Sequence, residues 1–150
     1  VQACFASGLK AHQLTVLSSY NRDLAELNST FQSIYNMNGR SVTHRGVKWM
    51  VGDKVMMNKN DPVMGVYNGE TGLIESVGQN EIEVNFGPAG NHYFPFKSTT
   101  RGELTVDVLT HGYALTIDKS QGSEWDFVVL YIPKFDGFIN RNRLFTAITR

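Results

Sequence analysis

Apolar positions along the chain follow two rhythms. Leu14-Thr15-Val16-Leu17 is a short, nearly continuous apolar run, followed by polar Ser18-Ser19-Tyr20-Asn21. Leu24, Leu27, Phe31 and Ile34 then recur every three or four residues, the spacing of one helix face. Asn21 suits the N-cap of that helix and Asp23 its positive start, and Asn36-Met37-Asn38-Gly39 ends it. The pattern predicts strand, loop and helix, half of an α/β unit.

From about Val47 to Phe96 the period shortens. Val51 to Met57 reads as a strand with a local turn or bulge at Gly52-Asp53, and Thr71 to Val77 as another after the turn signal Asn68-Gly69. Ile82, Val84 and Phe86 alternate with Glu81, Glu83 and Asn85, the signature of a half-buried strand. Gly87-Pro88-Ala89-Gly90 turns the chain into a strand from His92 to Phe96. Such short strands in close succession predict a small β-barrel, set into another domain. Ser98-Thr99-Thr100-Arg101-Gly102 reads as the exit linker. Beyond it the α/β rhythm resumes: an apolar segment through Val108, Tyr113 and Leu115, a polar loop, the apolar run Val128-Val129-Leu130-Tyr131-Ile132, and a last helix. Asn140 suits its cap, with Leu144, Phe145 and Ile148 on one face. The expected boundaries are 1–45 and 104–150 for an incomplete α/β domain, and 46–103 for the barrel.

Composition narrows the function classes. The chain is 41% hydrophobic and 19% charged, as folded water-soluble proteins are. Fourteen basic residues balance fourteen acidic ones, so any attraction to nucleic acid must come from local clusters. A single cysteine, Cys4, excludes an internal disulfide and a multi-cysteine metal site, which fits a reducing, cytoplasmic setting. Four dispersed histidines lack partners at ligand spacing, so no metal site is expected. No apolar run is long enough for a membrane span. A start at Val1 and a stop inside a periodic segment suggest a piece of a longer polypeptide.

The densest chemistry lies in Thr116-Ile117-Asp118-Lys119-Ser120-Gln121-Gly122-Ser123-Glu124-Trp125-Asp126, just before a buried strand, with Arg150 at the tip of the last helix. A polar loop beside a parallel strand, with an arginine nearby, is how phosphate sites are built. The chain has no G-x-x-x-x-G-K-[ST] loop, so a nucleotide site here would be half a site.

The stretch from His111 to Asp126 resembles motif V of the RecD-like superfamily 1 DNA helicases, and Phe145-Thr146-Ala147-Ile148-Thr149-Arg150 resembles their motif VI. Gly52-Asp53-Lys54-Val55-Met56-Met57, Lys59-Asn60 and Val66-Tyr67-Asn68-Gly69-Glu70-Thr71-Gly72 are similar to the start of their SH3-like insertion. Val16-Leu17-Ser18-Ser19-Tyr20-Asn21 with Leu27-Asn28 is more loosely similar to motif IV. The resemblance implies a RecA-like second motor domain interrupted by an SH3-like barrel, in a protein that hydrolyses ATP to move along single-stranded DNA. ATP with Mg2+ is the implied cofactor, and the metal ligands belong to an N-terminal RecA-like domain of the same polypeptide. Other subunits of a nuclease–helicase complex are further implied partners. DNA repair and recombination are the implied setting, and this chain alone would be inactive.

The resemblance also assigns roles. Arg150 is the candidate arginine finger, since a guanidinium stabilises charge on the transferring phosphoryl group. Glu124 is the candidate ribose acceptor, with Gly122 and Gln121 beside the nucleotide. Thr116, Lys119, Ser120 and Gln121 would face the DNA backbone with sequence-neutral contacts. Asp118 departs from the family, which commonly has histidine there; a carboxylate beside a phosphate repels unless it turns away or binds a cation. Tyr20 either stacks on a base or packs as a partly buried aromatic, and Asn21 is a cap or a ligand. In the insertion, Trp49, Tyr67, His92, Tyr93 and Phe94 with Arg45, Lys48, Lys54 and Lys59 could form an aromatic and basic surface, although Phe94 and Phe96 suit a core. Two other readings stay open: a non-catalytic module that binds single-stranded nucleic acid, and the motor portion of a conjugative relaxase.

Overall fold

A computed structural model describes residues 9–133 and 140–150. Cys4 lies outside the described residues. In chain order the elements are β1 Leu14–Ser18, α1 Leu24–Tyr35, β2 Ser41–His44, β3 Val47–Met50, β4 Lys54–Met57, β5 Thr71–Val77, β6 Glu81–Asn85, β7 Asn91–Pro95, β8 Leu109–His111, β9 Ala114–Thr116, β10 Phe127–Tyr131 and α2 Arg141–Ile148. They form two compact units, one made of the flanking segments up to Tyr35 and from Gly112, the other running from Asn36 to His111.

The flanking unit is α/β. Its sheet has the order β10–β1–β9 and is parallel throughout, with Leu14 opposite Phe127, Val16 opposite Ala114 and Ser18 opposite both Thr116 and Tyr131. β1 lies in the centre and all its residues are buried, which is why its sequence is a run rather than an alternation. Phe31, Leu24, Leu27 and Tyr35 of α1 pack against Leu14, Val16 and Tyr113. Buried Asn28 clamps the helix to β9: its Nδ2 donates to the Ala114 carbonyl (3.2 Å) and its Oδ1 accepts from the Ala114 N–H (2.9 Å).

Both helix starts were expected to carry an asparagine cap, and one does. Asn140 Oδ1 accepts from the Arg143 N–H at 3.0 Å. Asn21 does not cap α1. It opens a 3-10 turn, Asn21–Asp23, with Tyr20 in the cap position. Buried Ser18 closes this corner instead, accepting from the Tyr20 N–H (3.2 Å) and donating to Asp23 Oδ2 (3.0 Å). The apolar face expected on α2 is real but uncovered: Leu144, Phe145 and Ile148 are exposed, and small Ala147 is the buried residue.

The inner unit is all β. A five-stranded antiparallel sheet, β7–β6–β5–β4–β8, is joined by the hairpin β2–β3 around one apolar core that includes Trp49, Val55, Met57, Ile74, Ile82, Val84 and Phe94. It is wider than the expected 46–103 because β2 pairs with β3 before it and β8 pairs with β4 after it. The segment after Gly102, expected to rejoin the α/β domain, stays with the β unit, since Leu104, Val106 and Leu109 enter its core and Val108 packs against it. The strand expected from Val51 starts only at Lys54, because residues 51–53 turn the chain. Arg45 (φ 48°) and Gly46 (φ 81°) form the left-handed two-residue turn of β2–β3.

One buried carboxylate organises this turn. Asp53 is fully buried; Asn36 Nδ2 donates to its Oδ1 (2.9 Å), the Met50 N–H donates to its Oδ2 (2.8 Å), and His111 Nε2 lies 3.3 Å from Oδ2. The His111 ring stacks on Trp49 at 4.9 Å.

Candidate functional site

Parallel strands deliver their following loops to one edge of a sheet, where α/β proteins place ligands. Here β1 and β9 deliver the corner 19–23 and the loop 117–126, and the Ile117 N–H donates to the Ser18 carbonyl at 3.0 Å, holding the two strand ends together. The loop after β9 starts as a 3-10 turn, Asp118–Ser120. It then crosses the sheet, because β10 runs parallel and must be entered from the opposite edge. Gln13 Nε2 donates to Asp126 Oδ2 there at 3.3 Å.

Of the side chains expected to face DNA, Thr116 and Ser120 turn inward. Thr116 is buried and its Oγ1 accepts from the Lys119 N–H (3.2 Å); Ser120 is fully buried and its Oγ donates to the Ile117 carbonyl (2.7 Å). Their hydroxyls shape the turn. Lys119 and Gln121 are the exposed ones. Asp118 is exposed too, and Arg143 Nη2 of α2 donates to its Oδ2 at 2.9 Å. That pair gives the Asp118 carboxylate a cationic partner within the same unit. Tyr20 is half-buried with the Arg22 guanidinium 4.4 Å from its ring centroid, and Asn21 is exposed beside it.

The far half of the loop meets the end of α2. The Trp125 N–H donates to the Arg150 carbonyl at 3.0 Å. Trp125, Asp126, Val128, Leu130, Ala147, Ile148 and Arg150 line a cleft of about 420 Å³. Arg150 Nε donates to the Thr146 carbonyl (3.2 Å) and its Nη2 to Thr149 Oγ1 (3.4 Å), while Nη1 has no partner among the described residues. Gly122 (φ 88°) needs the left-handed conformation, and nothing lies within 4 Å of the place a Cβ would take. Glu124 is exposed beside it. An open backbone turn, an exposed carboxylate and a guanidinium with unspent donors fit a nucleotide's ribose and phosphates. No described group of His, Cys, Asp and Glu is arranged to hold a metal.

The aromatic and basic surface expected on the inner unit does not form as a whole. Trp49 and Lys54 are buried, and Arg45 is paired with Asp107 at 2.7 Å. Tyr67 and Tyr93 are exposed, with the Tyr93 hydroxyl donating to Glu83 Oε1 (3.1 Å). No described helix is long and apolar enough to cross a membrane. Sequence reasoning missed Asn28 as an anchor of β9 and Arg143 as the partner of Asp118.

Comparison with known proteins agrees with this order of parts. Residues 27–86 match the family model for the ATP-dependent RecD-like DNA helicase SH3 domain, and residues 111–150 match that for the UvrD-like helicase C-terminal domain. The RecBCD enzyme subunit RecD of Mycolicibacterium smegmatis is 36% identical over 103 residues, covering 68% of this chain and 17% of that protein. The ATP-dependent RecD2 DNA helicase of Deinococcus radiodurans is 31% identical over 125 residues, covering 83% of this chain and 16% of that protein. The chain thus spans about a sixth of the length of these relatives. In fold, it is similar to a crystal structure of the Pif1 helicase from Bacteroides in complex with ADP-AlF3 and ssDNA, with a TM-score of 0.66 and 20% identity over 93% of this chain and 38% of that one. The chain belongs to the RecD-like superfamily 1 DNA helicases, with a match to that family's SH3 domain over most of its inner unit and to a UvrD-like helicase C-terminal domain over the second segment of its flanking unit.

Proposed function

We propose that this chain is the C-terminal motor region of an ATP-driven helicase that moves along single-stranded DNA. The adjacency of Trp125 and Arg150 supports the reading, because these two residues are hydrogen-bonded and line one cleft, and the Gly122–Glu124 turn directly precedes Trp125 in the chain. Arg150 stabilises charge on the transferring phosphoryl group, in a cleft completed by a RecA-like domain of the same polypeptide that supplies the phosphate loop and the Mg2+ ligands. Glu124 accepts from the ribose hydroxyls. Gly122 and Gln121 border the nucleotide. Lys119 and Gln121 contact DNA phosphates from a turn that Thr116 and Ser120 hold in shape, with Tyr20 and Asn21 at the neighbouring corner. Relatives that carry the RecBCD name make other subunits of a nuclease–helicase complex the partner class to test first.

The test is steady-state ATPase of the polypeptide that joins this chain to its phosphate-loop domain, with and without oligo(dT). Arg150→Ala is expected to lower kcat by about 10³-fold with little change in KM for ATP. A kcat within threefold of the parent sinks the assignment. The 150-residue chain by itself is expected to show no turnover.

A further inference from the structure

The loop 117–126 and α2 lie side by side and are fastened at both ends. At one end Arg143 Nη2 donates to Asp118 Oδ2 (2.9 Å), and at the other the Trp125 N–H donates to the Arg150 carbonyl (3.0 Å). Two helical turns separate Arg143 from Arg150, so a stiff strut of about 10 Å joins the two fastenings. Both elements are stiff near the first fastening. The turn 118–120 is closed by the Thr116 and Ser120 hydroxyls, and α2 starts on the Asn140 cap. A displacement of the turn is therefore passed to the helix rather than absorbed.

We infer that Asp118 and Arg143 are positioning residues that transmit DNA occupancy of the Lys119–Gln121 turn to Arg150. The inference rests on the motor reading above and adds a path between its two ligands. The chemistry is electrostatic. A DNA phosphate arriving at Lys119 repels the Asp118 carboxylate and attracts the Arg143 guanidinium, so it changes the balance of the pair. The pair is partly exposed, with side-chain exposures of 59% for Asp118 and 25% for Arg143, so the effect is modest, about two- to fivefold.

Three variants of the joined polypeptide test the link: Asp118→Asn, Arg143→Gln, and the exchange Asp118→Arg with Arg143→Asp. Each single variant is expected to keep basal ATPase within twofold and to lose about two- to fivefold of the stimulation by oligo(dT). The exchange is expected to restore it. Single variants that keep full stimulation, or an exchange no better than the singles, overturn the link. A parent whose ATPase ignores oligo(dT) sinks the motor reading instead. Hydrogen exchange on the 150-residue chain separates the two cases without any activity. Asp118→Asn is expected to speed exchange at the Trp125 amide several-fold, and unchanged protection there overturns the mechanical path.

Discussion

The backbone N–H of Trp125 and the backbone carbonyl of Arg150 share a 3.0 Å hydrogen bond, which holds the end of the last helix against the end of the loop that precedes β10. Because the bond is made by main chain, changing the Arg150 side chain leaves it in place. Arg150→Lys keeps a positive charge but loses the planar fork. It is expected to recover less than tenfold of the kcat lost in Arg150→Ala, with the melting temperature of the chain unchanged. A lysine variant near parent activity would mean that charge alone suffices.

Glu124 sits in the exposed turn beside Gly122. If it accepts from the ribose, Glu124→Gln removes the charge from that hydrogen bond and raises KM for ATP about tenfold. The parent's preference for ATP over 2′,3′-dideoxy-ATP is expected to vanish in the variant. A preference that survives the change would assign the ribose to another residue.

Asn28 spends both ends of its amide on the Ala114 backbone. Asn28→Ala strands a buried N–H and a buried carbonyl on β9 and is expected to cost about 2–4 kcal/mol in urea unfolding of the chain. Asn28→Asp still accepts from the N–H but faces the carbonyl with a second acceptor, so it is expected to recover less than half of that loss.

Asp53 and Lys54 both make the inner unit more stable as pH rises, in two separate windows. Burial by itself raises a carboxyl, but hydrogen bonds from His111 and Asn36, attraction to His111 and the Met50 N–H outweigh it and hold Asp53 below its ordinary value. A carboxyl lower in the folded than in the unfolded chain contributes fully above about pH 4 and loses its contribution as pH falls through the folded value. Asp53→Asn is expected to flatten that acid loss. Burial pushes the Lys54 ammonium down to about 8. Between that value and the unfolded one the unfolded chain holds the extra proton, so stability rises with pH from about 8 toward 10. Lys54→Met is expected to abolish the rise. Trp49 fluorescence in a Trp125→Phe background follows both, and parallel pH curves for parent and variant would refute either assignment.

Periodicity made β1, α1, β5 and β6 legible, because each has one clear buried face or run. The β2–β3 hairpin was not legible: its turn is Arg45-Gly46, and an arginine at positive φ carries none of the usual asparagine or aspartate signal. The corner after β1 misled for a related reason, since Asn21 has the right chemistry for a cap but Ser18 and Asp23 reach the turn first. In the candidate site, the motif named Arg150 and the Gly122–Glu124 turn but carried no information on the direction of each hydroxyl. Burial of Thr116 and Ser120 depends on β9 pairing with β1, a long-range fact that local spacing does not contain. The Asp118–Arg143 pair spans 25 residues and left only an oddity, a carboxylate out of place.

The first and last residues of the β unit, Asn36 and His111, both reach the same Asp53 carboxylate. One buried carboxylate therefore gathers both chain ends of the β unit, and the closure is made by the unit's own side chains. A cassette closed this way is self-contained: its ends are tied to each other by Asp53 rather than by whatever chain flanks them.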